Sequence, residues 1–147
     1  MARALDGGYQ LDDDRGRVDV DAVHAYIGGE SYWGRGRTRD FVEQTIAGSL
    51  RVVGLYASDA RQVGFARAVS DGATVAYLAD VYVLAEHRGR GLGVELVREI
   101  VDGGELADIH WLLHTADAGG LYAKLGFRDG PVRFPLMERS RGYDASP

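Results

Sequence analysis

Residues 82–94 read Tyr-Val-Leu-Ala-Glu-His-Arg-Gly-Arg-Gly-Leu-Gly-Val, and they join an apolar strand to an amphipathic helix. The strand is the apolar run 74–84, and apolar residues recur at helical spacing from Gly91 onward. The turn between them is basic and carries a glycine at every second position. Such a turn aims several backbone N–H groups and the positive end of the helix dipole at one point. It predicts a phosphate or pyrophosphate site; the alternative is a glycine-rich turn whose arginines are only solvated.

Two common phosphate-binding loops do not fit these residues. The loop of nucleotide hydrolases needs a Gly-Lys pair followed by Ser or Thr, and the chain contains no Gly-Lys pair. The dinucleotide fingerprint Gly-x-Gly-x-x-Gly needs a glycine three residues after Gly91, where Val94 stands instead. That fingerprint also opens a parallel strand–helix–strand unit, whereas this turn follows strands predicted to be antiparallel. Both classes of nucleotide-binding protein are therefore excluded.

The rest of the sequence alternates helical and extended patterns, with no internal repeat and no boundary between domains. The first residues are polar and acidic, and they indicate a frayed end or a first edge strand around Gly8–Leu11. The other predicted elements are helices over 18–27, 40–47, 91–102 and 118–125, the last with Asp117 as its N-cap, and strands over 50–56, 62–69, 74–84, 109–113 and within 127–136.

This order, β-α-α-β-β-β-α-β-α-β, predicts the fold class α/β (α+β). We expect a mixed, mostly antiparallel central sheet flanked by helices, since the strict alternation of a doubly wound sheet is missing. We also expect a single domain over residues 1–147, with its core at about 18–135 and polar ends.

Composition narrows the classes of function. The chain has 147 residues, of which 46% are hydrophobic and 27% charged, as is ordinary for a globular protein. The absence of cysteine excludes a disulfide framework, a thiolate metal site and a cysteine nucleophile. A net charge of −5 argues against nucleic acid or anionic lipid as a partner. No apolar run reaches the length of a membrane span and the amino terminus lacks a signal peptide, so we expect a cytoplasmic protein.

The spacing Arg88-x-x-Gly91-x-Gly93 resembles the signature of the GNAT superfamily of N-acetyltransferases, Gln/Arg-x-x-Gly-x-Gly/Ala between a strand and a helix. Residues 77–83 look like the central strand of that family. The run 121–127, Leu-Tyr-Ala-Lys-Leu-Gly-Phe, matches its second signature, Leu-Tyr-x-x-Leu-Gly-Phe. The similarity covers about residues 18–135. One departure stands at 115–120, where relatives often carry an asparagine and this chain has none.

The resemblance implies that acetyl-CoA, the acetyl donor, binds where two strands of the sheet splay apart, and that no metal is needed. The N–H groups of Gly89–Val94 are implied to hold the pyrophosphate, and the strand backbone to pair with the pantetheine arm. The residues assigned to the cofactor in this way are Val81, Tyr82, Val83, Arg88, Gly89, Arg90, Gly91, Leu92, Gly93 and Val94. Core packing is the alternative role of the two strand valines.

Acetyl transfer to an amine requires a neutral amine and a stabilised leaving thiolate. An alkyl amine is neutral in only about one molecule in 2,500 at pH 7, so a base is useful. Tyr122 occupies the family's position for the acid that protonates the thiolate; its alternative is a tyrosine packed on the core. Asp80, a carboxylate within an apolar strand, is the first candidate base, or else a structural aspartate tied to a backbone N–H or an arginine. His114 is the second candidate base.

The loop between the first two helices is implied to select the acceptor. Tyr32 and Trp33 suit the wall of an acceptor pocket, or else cap the core. Arg35, Arg37 and Arg39 indicate a solvated loop or one attracted to an acidic acceptor, rather than a nucleic-acid arm. We therefore predict an N-acetyltransferase for a small primary amine or an exposed peptide amine. A silent acyl-CoA-binding module and a transferase of longer acyl groups are the alternatives. An exposed final strand would let two copies pair as a homodimer.

Overall fold

The computed structural model describes residues 1–130 and 134–139. Within these ranges no helix is long and apolar enough to cross a membrane. The described residues form strands and helices in this order: β1 (Arg3–Ala4), β2 (Gln10–Asp12), α1 (Val20–Gly29), α2 (Arg39–Gly48), β3 (Arg51–Tyr56), β4 (Gln62–Ser70), β5 (Val75–Val83), α3 (Leu92–Asp102), β6 (His110–Leu112) and α4 (Gly119–Ala123).

The six strands form one sheet and lie side by side in chain order. Every neighbouring pair is antiparallel except β5 and β6, which are parallel. A parallel pair needs a crossover connection, and α3 provides it. The predicted mixed, mostly antiparallel sheet flanked by helices is thus confirmed, although the chain begins with two strands where one was predicted.

The helices pack on opposite faces of the sheet. Successive strand residues point to opposite faces, so Val52 and Val53 of β3 enter different clusters of the core. Val52 packs with the apolar residues of α1 and α2. Val53 packs with α3, whose buried side chains are Leu92, Leu96, Val97, Ile100 and Val101. The apolar residues that recur at helical spacing after the glycine turn therefore form the face of α3 that covers the sheet.

The first residues are ordered into two short strands instead of a frayed end. β1 pairs with β2, and β2 pairs with β3 through Leu11 and Leu55. Tyr9 and Leu11 are two residues apart, so their side chains point to the same face of the sheet. Both are buried there, in the same cluster as the apolar side chains of α3. The predicted edge strand around Gly8–Leu11 is realised as Gln10–Asp12.

The predicted helix near the C-terminal end is wrong in its length and its cap. Helix α4 is shorter than the predicted 118–125, and its N-cap is Ala118 instead of Asp117, with no side chain bonded to the first helical N–H groups. The hydroxyl oxygen of Thr115 accepts from the N–H of Ala118 at 3.0 Å, in the turn before the helix. Gly126, with φ +88°, still ends the helical segment as predicted. Of the strand predicted within 127–136, residues 127–130 and 134–136 form no strand, and 131–133 lie outside the described residues.

Candidate active site

β5 and β6 pair only over a short length, and beyond it they enclose a cleft. The pairing joins Val75–Tyr77 to His110–Leu112, after which β5 continues to Val83 with no described strand on that edge. A cavity of about 500 Å³ occupies the cleft. Its lining comes from β5 (77–81), the loop after β6 (114–118), Tyr122 of α4, Arg67 of β4, and Tyr32, Trp33 and Arg37 of the α1–α2 loop.

A β-bulge in β5 explains why the cleft opens at this point. Two residues of β5, Asp80 and Val81, lie opposite the single residue Ala66 of β4. Asp80 has φ +54°, in the left-handed region that aspartate tolerates better than most residues. A bulge bends and twists its strand, and this one lies just beyond the last β5–β6 pair.

The glycine turn presents main-chain donors to open space. Gly89 and Gly91 have φ values of +78° and +75°, and a Cβ at either position would meet no atom within 4 Å. Gly91 is the N-cap of α3 and has no side chain that could bond the first helical N–H groups. The N–H groups of Leu92, Gly93 and Val94 therefore point out of the helix at the positive end of its dipole. This is the arrangement that binds phosphate groups.

Gly93 and Arg88 help to hold the turn in its conformation. A Cβ on Gly93 would lie 3.0 Å from Cδ1 of Leu121, so glycine here allows α4 to pack against the start of α3. Arg88 folds back, donating from Nε to the Val83 carbonyl at 2.8 Å and from Nη2 to the Tyr26 hydroxyl at 3.0 Å. Its guanidinium ties the turn to β5 and α1. Arg90 and Leu92 complete the turn, the former exposed and the latter buried.

The side chains at the end of β5 belong to the core. The Tyr82 ring is stacked on Tyr26 with centroids 4.1 Å apart, and burial raises the pKa of its hydroxyl. Val83 is buried, and Val81 is half-buried against the α3 cluster. A ligand lying along this edge would therefore contact the main chain of β5, as the sequence predicts.

Tyr122 lies on α4 and faces the cleft. It is 9% exposed, and its ring makes an edge contact with Phe127 at 5.9 Å between centroids. Burial raises the pKa of Tyr122 to about 12, and the charges of Tyr32 and Asp117 act in the same direction. The hydroxyl is therefore protonated at neutral pH and can donate a hydrogen bond. Tyr122 packs in the core and lines the cleft at once, so the two roles predicted for it are compatible.

Asp80 is held by three donors at the other side of the cleft. Its Oδ1 accepts from Nε1 of Trp33 at 2.8 Å and from Nη1 of Arg37 at 3.1 Å. Its Oδ2 accepts from Nε of Arg67 at 2.7 Å. The residue is buried, and a buried carboxylate needs partners of this kind. This geometry fits the structural alternative better than a base that must accept a proton.

His114 is exposed in the loop after β6, and it too lines the cleft. Its Nδ1 lies 2.7 Å from the hydroxyl of Tyr77, whose pKa burial raises. When Nδ1 carries the proton and donates to Tyr77, the lone pair of Nε2 is available to accept one. Asp80, the other predicted base, is held in two ion pairs. Among the described residues, His114 forms no ion pair.

Tyr32 and Trp33 form a wall of the cleft. The Tyr32 hydroxyl accepts from the N–H of Ala116 at 3.1 Å, which joins the α1–α2 loop to the loop after β6. The Tyr32 and Trp33 rings meet edge to face at 4.9 Å between centroids, and the two residues are 55% and 37% exposed. The structure thus places both on the wall of the cavity.

Sequence reasoning does not single out Arg67. The available signal is one arginine inside the apolar strand β4 and one aspartate inside the apolar strand β5, two neighbouring strands of a hairpin. Opposite charges that must both be buried in adjacent strands predict an ion pair. Arg37 of the α1–α2 loop pairs with the same carboxylate of Asp80, which explains why it turns toward the cleft.

A second cavity, of about 1150 Å³, lies beside β6 and the end of α3. It shares Thr115 and Tyr122 with the cleft but does not include Asp80, and Phe134 and Pro135 border it, next to residues outside the described part. The glycine turn lines neither cavity. Across the described ranges, no group of three or more His, Asp or Glu side chains is placed to hold a metal ion.

Comparisons with known proteins agree with this architecture. A family model described as an acetyltransferase (GNAT) domain matches residues 50–129, which include the glycine turn and Tyr122. A protein of Gibberella zeae named as a candidate acetyltransferase is 30% identical, over 84% of this chain and 81% of that protein.

Two solved structures are also similar. A candidate GNAT-family acetyltransferase from Xanthomonas campestris pv. campestris has a TM-score of 0.82 and 38% identity, covering 90% of this chain and 93% of that chain. A candidate acetyltransferase from Deinococcus radiodurans R1 has a TM-score of 0.69 and 25% identity, covering 92% and 93%. Fold, turn and family match lead to one conclusion: the chain belongs to the GNAT family of acetyltransferases.

Proposed function

We propose that this protein transfers an acetyl group from acetyl-CoA to a primary amine, by direct attack of the amine within a ternary complex. The family uses acetyl-CoA as donor. The observation that carries the proposal is the cleft itself, which has Tyr122 and His114 in its lining and runs along a part of β5 that pairs with no strand of the described residues on that edge.

The glycine turn suits the pyrophosphate of the donor. Gly89 and Gly91 have positive φ values that other residues rarely adopt, and the space where a Cβ on either would stand is open. Arg88 holds the turn against β5 through the Val83 carbonyl. Bound acetyl-CoA would supply the acetyl group and a thiolate leaving group.

Tyr122 is the proposed acid. Its hydroxyl is protonated at neutral pH, and because burial raises its pKa to about 12 it stays protonated well into the alkaline range. A free thiol in water ionises with a pKa of about 8.5, so a departing thiolate is a weaker base than the phenolate of Tyr122 and gains chiefly from a hydrogen bond. Tyr122 would donate that hydrogen bond and pass a proton to the sulfur only as the second proton of the attacking nitrogen, released when the amide forms, replaces it on the hydroxyl oxygen.

His114 is the proposed base. The ammonium form of the acceptor must lose a proton before its nitrogen can attack a carbonyl carbon. Nε2 of His114 would accept that proton while the Tyr77 hydroxyl orients the ring through Nδ1. Asp80 would act as a positioning residue, because it fixes Trp33 and Arg37 on the acceptor side.

The direct test is release of free CoA from acetyl-CoA in the presence of a panel of primary amines and peptides, alongside calorimetry of acetyl-CoA binding. We expect tight binding and amine-dependent release. Tight binding without turnover on any amine would identify a silent acyl-CoA-binding module instead. Faster turnover of longer acyl-CoA donors would identify a transferase of longer acyl groups.

A further inference from the structure

Two arginines in the acceptor part of the cleft share a single carboxylate. Arg37 and Arg67 form ion pairs with Asp80 at 3.1 Å and 2.7 Å. The Arg37 side chain is 27% exposed, that of Arg67 is 13% exposed, and that of Asp80 is 5% exposed. One carboxylate neutralises one guanidinium, so a half-buried positive charge remains beside the wall formed by Trp33.

The two guanidinium groups also have donors that the described residues do not use. Arg37 bonds Asp80 through Nη1 alone. Arg67 bonds Asp80 through Nε and the Ser49 hydroxyl through Nη1, the latter at 3.3 Å. Nε and Nη2 of Arg37, and Nη2 of Arg67, therefore make no hydrogen bond to any other described residue. Both side chains line the cavity, where an incoming ligand can reach them.

Besides Asp80, two carboxylates act on this cavity: Asp117 in its lining, and Glu138, whose charge acts on the hydroxyl of Tyr77. Asp117 lines the cleft and forms no ion pair with Arg37 or Arg67 among the described residues, and its charge contributes to the raised pKa of Tyr122. The cleft thus has an acidic side chain near the proposed acid and an excess of positive charge around Asp80. An acceptor amine that also carries an anionic group would complement both charges. Its ammonium group would face the acidic side chain, and its anionic group would face the two arginines.

We infer that the acceptor is an amine bearing a carboxylate or a phosphate, and that Arg37 and Arg67 bind this anionic group. The planar fork of a guanidinium matches the oxygens of both anions. This assignment rests on the proposed transferase function and narrows its acceptor class. Tyr32 and Trp33 would contact the apolar part of the acceptor between its two charged ends.

The acceptor preference of the unmodified protein gives the first test. Matched probes are free amino acids against their carboxamides, and O-phosphoethanolamine against ethanolamine, with CoA release as the readout. We expect kcat/KM to be roughly 10–100-fold higher for the anionic member of a pair, because hydrogen bonds to charged groups contribute about 1.5–3 kcal/mol. The pair with the larger ratio tells whether the natural anion is a carboxylate or a phosphate.

Variants give the second test. Arg37→Gln should reduce the preference about tenfold, mainly through KM, and leave acetyl-CoA affinity unchanged, while Arg37→Lys should retain part of it. Arg35→Gln is the matched control, since Arg35 is exposed in the same loop and does not line the cavity. The control should keep the full preference.

Equal turnover of neutral and anionic amines would overturn the inference and leave the transferase function standing. If no amine is acetylated, the proposed function fails, and calorimetry with CoA present decides the inference separately. N-acetylated amino acids should then bind more tightly than their carboxamides, and Arg37→Gln should remove the difference. Equal or absent binding of the two probes would overturn it.

Discussion

The proposed donor and acceptor sides of the site are built from different parts of the chain. The donor side is the glycine turn, in which consecutive residues offer main-chain N–H groups to open space. The acceptor side is the cluster of Trp33, Arg37, Arg67 and Asp80, in which side chains from three separate elements meet. A site made of main chain can stay constant while a site made of side chains changes with the acceptor. The two sides should therefore respond differently to substitution.

The largest effect is expected from Tyr122→Phe, which acts between the two sides. We predict a fall in turnover of roughly 10²–10⁴-fold with unchanged acetyl-CoA affinity, because only the proton donor is lost. Tyr56→Phe is the matched control: burial raises the pKa of Tyr56 to about 12 as well, and its hydroxyl is buried without a partner in the described structure, away from the cleft. Steady-state kinetics of both variants make the comparison, and equal losses would remove Tyr122 from the mechanism.

On the donor side, Gly91→Val should weaken acetyl-CoA binding by more than about 100-fold while the protein stays folded. The new side chain fills the space in front of the turn, and two or more charge-assisted hydrogen bonds of about 1.5–3 kcal/mol each are lost. Calorimetry measures the affinity, and thermal unfolding checks the fold.

Gly72→Val is the control for backbone strain at the donor side. Gly72 has φ +81°, close to that of Gly91, but lies in the turn between β4 and β5. Each substitution adds strain of roughly 1–2 kcal/mol. Normal affinity in the Gly91 variant, or equal weakening in both, would contradict the phosphate site.

On the acceptor side, Asp80→Asn should lower the free energy of unfolding by about 3 kcal/mol, because two half-buried arginines lose their counter-charge. The donor side should be untouched, so acetyl-CoA affinity is expected to remain within about twofold at temperatures where the variant is folded. Chemical denaturation and calorimetry separate the two effects. A loss of acetyl-CoA affinity would show that the two sides are not independent.

A smaller effect is expected for His114→Gln. We predict roughly a tenfold drop in kcat/KM at neutral pH, which shrinks as the pH approaches the pKa of the acceptor amine, since the amine is then neutral without a base. The pH–rate profile measures it, and Arg35→Gln again serves as a control on the exposed surface. A constant ratio of the two rates at every pH would exclude a role in removing the proton.

The last prediction concerns turnover at alkaline pH, where we expect no change. The pKa of Tyr122 is raised to about 12 by burial, so its hydroxyl stays protonated up to about pH 11. Turnover should therefore not decline between about pH 8 and 10 through loss of this proton. Because the folded pKa lies above that of the unfolded chain, Tyr122 instead makes folding less favourable as pH rises above about 10. A decline in kcat with a midpoint near about pH 9 would contradict the assigned acid.

The same contrast between the two sides explains how far the sequence alone leads. The glycine turn is contiguous, so its spacing predicts both its conformation and its ligand class. The bond between Asp80 and Arg67 depends on a bulge that sets the β4–β5 register, and short patterns do not reveal such a bulge. The hydrogen bond between Tyr32 and Ala116 joins two distant loops and is likewise invisible to local patterns.

The helix cap at the start of α4 is missed because the helix begins one residue later than predicted. Ala118 is the N-cap, and no side chain bonds the first helical N–H groups. Thr115 bonds the N–H of Ala118 in the turn before the helix, and Asp117 lines the cleft.

A crystal structure of the complex with CoA tests the central claim most directly. The account predicts pyrophosphate oxygens within about 2.7–3.2 Å of main-chain nitrogens between Gly89 and Val94. A pyrophosphate bound elsewhere, with those N–H groups directed at solvent or at other protein atoms, would contradict it.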